Sequence, residues 1–284
     1  MKKIYKKPLP IINLKNITYS YQGVLALNDI SFSIKQGEKV AFLGANGSGK
    51  STLLKILDGL IFATNGTYQA FGNVITQETF SDEKREYEFR RKVGYVFQDS
   101  EVQLFNPSVW DEVCFAPLYM GFDKNEAAFK AERVLRIMNI SHLKDRIPHQ
   151  LSGGEKKKVA IASILSYQPE VWLFDEPTAG LDPRSQSRLI DFICQLDPKQ
   201  NTVITASHDI AIVREIADRI IVLSEDHRIV TEGSPEKILS NKKLLTTHNL
   251  IHEHLHQHKG KKHTHIHSHL TLHKHSFSKS SREE

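Results

Sequence analysis

Residues 44–52 read GANGSGKST and match the pattern G-x-x-x-x-G-K-[ST]. They lie between an apolar run, KVAFL at 39–43, and a segment whose leucines recur at helical spacing. Glycines let successive backbone N–H groups point inwards around phosphate oxygens, and the following helix adds its positive N-terminus. The Lys50 amine would then reach the β- and γ-phosphates, and the Ser51 hydroxyl would bind Mg²⁺. We therefore assign nucleotide binding to Gly44, Asn46, Gly47, Ser48, Gly49, Lys50, Ser51 and Thr52.

Two carboxylates, Asp175 and Glu176, follow the apolar run VWLF at 171–174. In an open α/β sheet, ligands bind at the carboxyl ends of the strands. Asp175 would hold Mg²⁺, directly or through water, and Glu176 would act as general base towards the attacking water. Taken alone, the same pair could equally be the solvated start of a helix.

A third motif, LSGGE at 151–155, precedes the helical pattern KKKVAIASILSY. Ser152 and the amides of Gly153 and Gly154 would form a second anion site at the helix N-terminus. The alternative is a flexible turn that only caps the helix. Spacing alone does not reveal whether this turn acts on the same nucleotide as residues 44–52.

The remaining pattern alternates strands with helices around a helical block. Alternating residues at 11–35 predict antiparallel strands at the edge of a sheet. From about 106 to 167 the pattern is mostly helical, with one apolar face that would include Phe129, Val134, Leu135 and Met138. Further strands are predicted at 67–75, 93–97, 171–174 and 202–206, a helix near 183–196, a hairpin at 219–232 and a short helix at 235–240. This order predicts a mixed α/β sheet with a helical insertion.

The composition is that of a protein with a real core, since 39% of the 284 residues are hydrophobic and 25% are charged. We find no apolar run long enough to span a membrane and no secretory h-region near the N-terminus. The two cysteines form no CxxC pair, so a reducing cytoplasm is the expected compartment. More than half of the net charge of +5 lies in residues 248–284, so we predict no nucleic-acid partner.

The three motifs in this order resemble those of the ATP-binding-cassette (ABC) ATPases, over roughly residues 11–240. The resemblance implies a P-loop NTPase fold with a mixed sheet core, an antiparallel β edge and a helical subdomain at about 99–167. It also implies hydrolysis of ATP with Mg²⁺. Two cassettes would pack head to tail. Each nucleotide would lie between residues 44–52 of one cassette, which we call the P-loop, and the LSGG residues of the other.

The same resemblance suggests roles for single residues outside the three motifs. Tyr21 resembles the aromatic that stacks on adenine, although it could be an ordinary half-buried strand tyrosine. Gln98 resembles the Q-loop glutamine that contacts Mg²⁺ and senses the transmembrane partner, and Asp182 the D-loop aspartate at the dimer interface. His208 resembles the switch histidine that faces the γ-phosphate. The catalytic set would be Glu176, His208 and Lys50, and the magnesium set Ser51, Gln98 and Asp175.

Two stretches, VFQDSEVQLF at 96–105 and VWDEVCFAPLYMG at 109–121, resemble the energy-coupling-factor importer ATPases, which include the cobalt/nickel type. Gln103 matches the second glutamine of that pattern, whereas Ser100 stands where the pattern has proline and Glu112 where it often has aspartate. The resemblance implies a transmembrane permease or coupling subunit as partner and a peripheral position on the cytoplasmic face of the cell membrane. The cassette would form a homodimer, or a heterodimer with a second ABC ATPase.

Residues 248–284 form a histidine-rich tail, which we separate from an ATPase domain at 1–247 and expect to be disordered. Its period of two would place the imidazoles on one side of an extended chain, and imidazole suits Ni²⁺ and Co²⁺. The tail could instead be low-complexity sequence without a role, or a contact to an anionic surface. The predicted ligands are His252, His254, His256, His258, His263, His265, His267 and His269.

The sequence therefore favours the ATPase of an importer for a transition metal, nickel or cobalt. The alternatives within the family are a vitamin importer of the energy-coupling-factor type, or another ABC transporter such as an exporter, with an incidental tail. ABC ATPases of DNA repair or translation usually carry a long coiled-coil insertion or two cassettes, and this length leaves room for neither. A metal-storage protein with a vestigial cassette is disfavoured because no expected catalytic residue is missing.

Overall fold

The computed structural model describes the backbone of residues 10–258 and 261–267. The strands are β1 (Ile12–Tyr21), β2 (Val24–Ile34), β3 (Lys39–Leu43), β4 (Asn65–Ala70), β5 (Asn73–Val74), β6 (Val93–Val96), β7 (Val171–Asp175), β8 (Thr202–Ser207), β9 (Arg219–Leu223), β10 (Ile229–Gly233), β11 (His252–His258) and β12 (Lys261–His267). The helices are α1 (Lys50–Leu57), α2 (Glu83–Arg90), α3 (Val109–Tyr119), α4 (Lys124–Ile137), α5 (Gly153–Leu165), α6 (Pro183–Gln195), α7 (Ile210–Ile216), α8 (Pro235–Leu239) and α9 (Lys242–Thr247). Short 3-10 turns occupy Gln77–Ser81, Ser141–Leu143 and Pro148–Gln150.

The central sheet has the strand order β10-β9-β3-β8-β7-β6. All neighbours are parallel except β9 and β10, which pair antiparallel, so the predicted mixed sheet is confirmed. Leu43 at the end of β3 pairs with Ser207 at the end of β8, and Asp175 at the end of β7 pairs with Ala206. The carboxyl ends of these three strands therefore meet at one edge of the sheet.

The antiparallel strands expected at 11–35 are confirmed as β1 and β2, with β2 at the edge of its sheet. They belong to a separate sheet with the order β2-β1-β4-β5. This sheet turns the buried side chains of Ile12, Ile17 and Ile30 towards a core shared with Phe42 of β3 and Leu53 of α1. Helix α1 therefore lies between two apolar surfaces, one from this separate sheet and one from the central sheet.

The helical insertion consists of α3, α4 and α5, which pack on the outer part of the central sheet. Ala127, Ala131, Val134 and Leu135 form the buried face of α4. The prediction for Phe129 is wrong, because this side chain is 65% exposed. It follows Ala127 by two residues, and positions two apart do not share a helix face. No helix in the described part of the chain is long and apolar enough to cross a membrane.

The folded body reaches beyond the boundary that we placed after residue 247. Leu250 and Ile251 are buried with Leu245 of α9, in a core that also contains Ala41 and Leu43 of β3. Residues 248–251, which we assigned to the tail, therefore belong to the folded body. The cause is that two apolar residues follow α9 and cover the strand that leads into the P-loop.

The backbone of the following residues forms two strands, whereas we expected disorder there. β11 and β12 pair antiparallel, with His252 opposite His267, His254 opposite His265 and His256 opposite His263. An alternation of period two is the pattern of a β-strand, which accounts for the difference from our expectation. The proposed ligand His269 lies outside the described residues.

Candidate active site

The loop at 44–52 connects β3 to α1 and is shaped by its glycines. Gly49 has a φ of 99°, and a Cβ placed on it would lie 2.4 Å from the Ala26 carbonyl oxygen of β2. A Cβ on Gly44 would lie 2.5 Å from Ser48 Oγ. Ser48 is fully buried and its hydroxyl has no hydrogen-bond partner among the described residues. A loop that needs glycine at 44 and 49 and leads into the start of a helix suits a phosphate group.

Lys50 lies on the inner side of this loop. Its Nζ donates hydrogen bonds to the carbonyl oxygens of Gly44, at 2.8 Å, and Ala45, at 2.9 Å. Burial lowers the pKa of Lys50, while the carboxylates of Glu176 and Asp175 act to raise it. The amine is thus a buried cation between the loop and the two carboxylates, as a contact to phosphate requires.

Asp175 is 2% exposed at the end of β7 and accepts two hydrogen bonds. Ser51 Oγ donates to Oδ1 at 3.0 Å, and Tyr95 Oη donates to Oδ2 at 3.0 Å. Burial raises the pKa of Asp175, and these two hydrogen bonds oppose that rise. A hydroxyl beside a carboxylate is a hard oxygen pair that fits Mg²⁺. Tyr95 comes from the neighbouring strand β6, and its contact with Asp175 is not predicted by any sequence motif.

Glu176 and His208 form a close pair. Glu176 Oε1 lies 2.7 Å from His208 Nδ1 and accepts the His208 backbone N–H at 3.1 Å. Ser207 Oγ donates to Glu176 Oε2 at 3.2 Å, a contact that the sequence did not predict. Glu176 is 6% exposed, which excludes a solvated helix start, and it has a φ of 44°. Such backbone conformations are found at functional sites, where the surroundings hold them in place.

Tyr21 and Gln98 lie on the border of this cluster. Tyr21 ends β1 and is 41% exposed, with its ring 4.8 Å from that of Tyr19 in an edge-to-face contact. Its hairpin partner β2 touches the P-loop through Ala26 and Gly49, so the exposed ring is on a strand pair that borders the loop. Gln98 is exposed and follows β6, the strand that supplies Tyr95, by two residues.

The LSGGE turn and Asp182 cap the helices α5 and α6. Ser152 forms a capping box with Glu155, whose pKa the Ser152 hydroxyl and backbone N–H hold below its usual range. Ser152 and Gly153 are exposed, and no hydrogen bond among the described side chains joins them to the P-loop. The chain therefore contains a cluster of Lys50, Asp175, Glu176 and His208, which we call the hydrolysis cluster, and an exposed helix N-terminus at LSGGE that is not bonded to it.

A cavity of about 260 Å³ opens beside the cluster. It is lined by Ala45 and Asn46 of the P-loop, His208, and Asn249 and Leu250 from the root of the histidine-rich tail. Asn249 is held in place by a hydrogen bond from its Nδ2 to Glu225 Oε1 at 2.7 Å. The tail therefore leaves the body at the rim of the nucleotide site, which the sequence alone did not indicate.

Sequence comparisons agree with this geometry. The family model described as ABC transporter matches residues 27–179. A putative ABC transporter ATP-binding protein of Methanosarcina acetivorans is 50% identical over 86% of this chain and 90% of its own length. A nickel import ATP-binding protein of Rhodobacter capsulatus is 42% identical over 85% of this chain and 96% of its own length.

Solved structures show the same similarity. A structure from Clostridium perfringens, described as part of the ABC transporter complex cbiONQ, has a TM-score of 0.70 and 35% identity, covering 85% of this chain and 95% of that one. A dimeric ATP-binding cassette bound to ADP and phosphate has a TM-score of 0.71 and 28% identity, covering 79% and 98%. The matching family model and the identity to these relatives show that this chain belongs to the ABC transporter family, as an ATP-binding cassette that hydrolyses ATP.

Proposed function

We propose that this ATPase powers the import of a transition metal ion, nickel or cobalt, through partner membrane proteins. The observation that carries the proposal is a double run of alternating histidines joined to a cassette that is 42% identical to a nickel import ATPase. Tyr21 would stack on the adenine of ATP, and the P-loop, with Lys50, would hold its phosphates. Ser51, Asp175 and Gln98 would hold Mg²⁺, which would neutralise phosphate charge.

Within this proposal, Glu176 accepts the proton of the attacking water. His208 fixes the orientation of the Glu176 carboxylate through the 2.7 Å contact and faces the terminal phosphate. Asp182 and the exposed Ser152, Gly153 and Gly154 belong to the interface with a second cassette. A related cassette forms a dimer with ADP and phosphate bound, which supports such a pair here. The second cassette would be another copy of this chain or a related ATPase.

The tail would bind the cargo on the cytoplasmic side. In the hairpin of β11 and β12, three histidines of one strand are directly opposite three of the other. Directly opposed residues of antiparallel strands have Cα atoms about 4.5–5.5 Å apart, and alternate residues share one face. Paired register positions of this kind suit imidazole ligation of Ni²⁺ or Co²⁺.

An exposed aromatic patch supports a membrane protein as partner. The Phe115 ring lies 5.0 Å from that of Phe105 and 6.2 Å from that of Tyr119, centroid to centroid, and all three side chains are exposed. Val102, three residues before Phe105 in the chain, is also exposed, at 71%. Large exposed apolar patches mark sites of protein interaction. We propose that a cytoplasmic segment of the transmembrane subunit docks here, which places the cassette on the inner face of the membrane.

The patch gives a test of the partner that is independent of the cargo. Phe105→Glu should abolish uptake in cells, because a charge in the patch opposes docking, while the purified variant retains its ATPase rate within about twofold. Phe129→Glu is the matched control, since Phe129 is 65% exposed against 64% for Phe105 but lies on α4, outside the patch. Equal uptake by both variants would contradict the docking site.

Uptake of radiolabelled Ni²⁺ and Co²⁺ tests the function itself. Cells without this chain should lose uptake of one of the two ions, and the wild-type chain should restore it. Unchanged uptake of both ions would overturn the metal proposal. Relatives include energy-coupling factor transporter ATP-binding proteins, so loss of vitamin uptake in the same cells would then favour the alternative.

Deletion of residues 252–284 should remove tight binding of Ni²⁺ or Co²⁺ and leave basal ATP hydrolysis within about twofold, because the hydrolysis cluster is in the body. The cut must follow Ile251, since Leu250 and Ile251 are buried. Metal binding is measured by calorimetry in the full chain, in the variant lacking residues 252–284, and in a full-length variant with glutamine at the eight proposed histidines. The last variant separates metal ligation from the length of the tail. Absence of micromolar affinity in the full chain would exclude a cargo-binding tail.

A further inference from the structure

Three consecutive lysines follow the LSGGE motif, and each has a different partner. Lys156 forms an ion pair with Glu101, and Lys158 Nζ lies 3.8 Å from Asp182 Oδ2. Lys157 instead points into the protein and is 2% exposed. Its Nζ donates to the carbonyl oxygens of Phe97, at 2.7 Å, and Gln98, at 2.9 Å. The middle lysine is thus the one that joins α5 to the main chain around Gln98.

A buried amine in this position is costly. Burial lowers the pKa of Lys157 to about 8, and the carboxylates of Asp175, Glu176 and Asp99 only partly oppose this effect. None of the three forms an ion pair with Lys157 within 4.0 Å among the described residues. The direct partners of the amine are two carbonyl oxygens, and hydrogen bonds from a charged donor are about twice as strong as neutral ones. These two bonds therefore hold the amine against the main chain of Phe97 and Gln98.

A second side chain fixes the other end of the same loop. Gln103 Oε1 accepts the backbone N–H of Phe97 at 3.3 Å, and its Nε2 donates to the carbonyl oxygen of Ala160 at 3.0 Å. Ala160 lies on α5, less than one turn beyond Lys157. The loop at 97–103 is thus attached to α5 at several points, and among the described side chains of α5 it is Lys157 that bonds to Gln98 itself.

We propose that Lys157 is a positioning residue that holds Gln98 in place relative to both α5 and the carboxylates at the end of β7. The inference rests on the proposed role of Gln98 as a magnesium contact. A shift of α5, whose N-cap is Ser152, would be transmitted by the Lys157 amine directly to the Gln98 main chain. Ser152, which would contact the nucleotide of the second cassette, and Gln98, which would contact this chain's own Mg²⁺, would then move together.

The test is a magnesium titration of ATPase activity in Lys157→Met, which keeps the apolar stem and removes the donor. The half-saturating Mg²⁺ concentration should rise by about tenfold, the effect of losing a hydrogen bond to a charged group. The KM for ATP at saturating Mg²⁺ should stay within about twofold. Lys157→Arg, which keeps charged donors, should recover part of the loss, and Lys156→Met is the neighbouring control.

A double-mutant cycle with Gln98→Ala separates this role from general loss of structure. If Lys157 acts through Gln98, Lys157→Met should add no further change in the Gln98→Ala background. Additive effects, an unchanged magnesium titration, or equal changes in the KM values for ATP and Mg²⁺ would each overturn the inference. If Lys157→Met does not fold in a thermal melt, Lys157→Gln replaces it. A normal titration in Gln98→Ala alone would instead refute the role of Gln98.

Discussion

Glu176→Gln should reduce the kcat for ATP hydrolysis by about two to four orders of magnitude, the contribution of a positioned general base. Glutamine has the same shape but cannot take a proton from water. Its carbonyl oxygen can still accept the His208 backbone N–H, which Glu176 Oε1 accepts at 3.1 Å, so the site should keep its geometry. The loss should therefore appear in kcat and not in folding.

ATP affinity should be retained in this variant because the P-loop and Lys50 are unchanged. With ATP bound and hydrolysis blocked, the variant should accumulate as a dimer, which size-exclusion chromatography with and without ATP would show. A single-turnover experiment measures the chemical step directly. A kcat within a few-fold of wild type would remove Glu176 as the base.

Glu112→Gln is the matched control for this change. Glu112 is also buried, at 3% exposed, and its Oε2 accepts the backbone N–H groups of Phe105 and Asn106, at 2.9 and 2.8 Å. It lies on α3 of the helical insertion, apart from the hydrolysis cluster. The same substitution there should lower stability while leaving kcat within a few-fold, so a common loss in both variants would indicate unfolding.

The cluster could be anticipated because its members stand next to strands and helices with strong local patterns. Residues 44–52 follow a continuous apolar strand and begin a helix, and Asp175 and Glu176 end another such strand. The order of the strands in the sheet could not be predicted from the sequence. Tyr95 reaches Asp175 because β6 lies beside β7, and Ser207 reaches Glu176 because β8 lies on the other side of β7. Neither neighbour follows from local spacing.

The errors also have physical causes. Phe129 is apolar but lies off the buried face of α4, where hydrophobicity alone does not determine exposure. Residues 248–251 begin with the polar His248 and Asn249, so composition alone does not separate them from the histidine-rich tail. Leu250 and Ile251, however, cover β3 below the P-loop. A pair of apolar residues has no periodicity, so only the tertiary packing reveals its role.

Lys50→Ala should weaken ATP binding by about a hundredfold or more. Hydrogen bonds to charged groups contribute about 1.5–3 kcal/mol each, and Lys50 is assigned to two phosphates. The amine is already held towards the loop by the carbonyl oxygens of Gly44 and Ala45, at 2.8 and 2.9 Å, so little order is lost when it contacts the nucleotide. Calorimetric titration of the full chain with ATP would measure the change.

Lys55→Ala controls for the loss of one positive charge on the same helix. Lys55 is in the last turn of α1, whereas Lys50 is the first residue. If only net charge attracted ATP, the two variants would lose ATP affinity equally. A direct phosphate contact predicts that only Lys50→Ala loses it. An ATP affinity within threefold of wild type in Lys50→Ala would remove this lysine from the binding site. Because Glu176→Gln is expected to keep that affinity, the two variants together separate binding of the nucleotide from its hydrolysis.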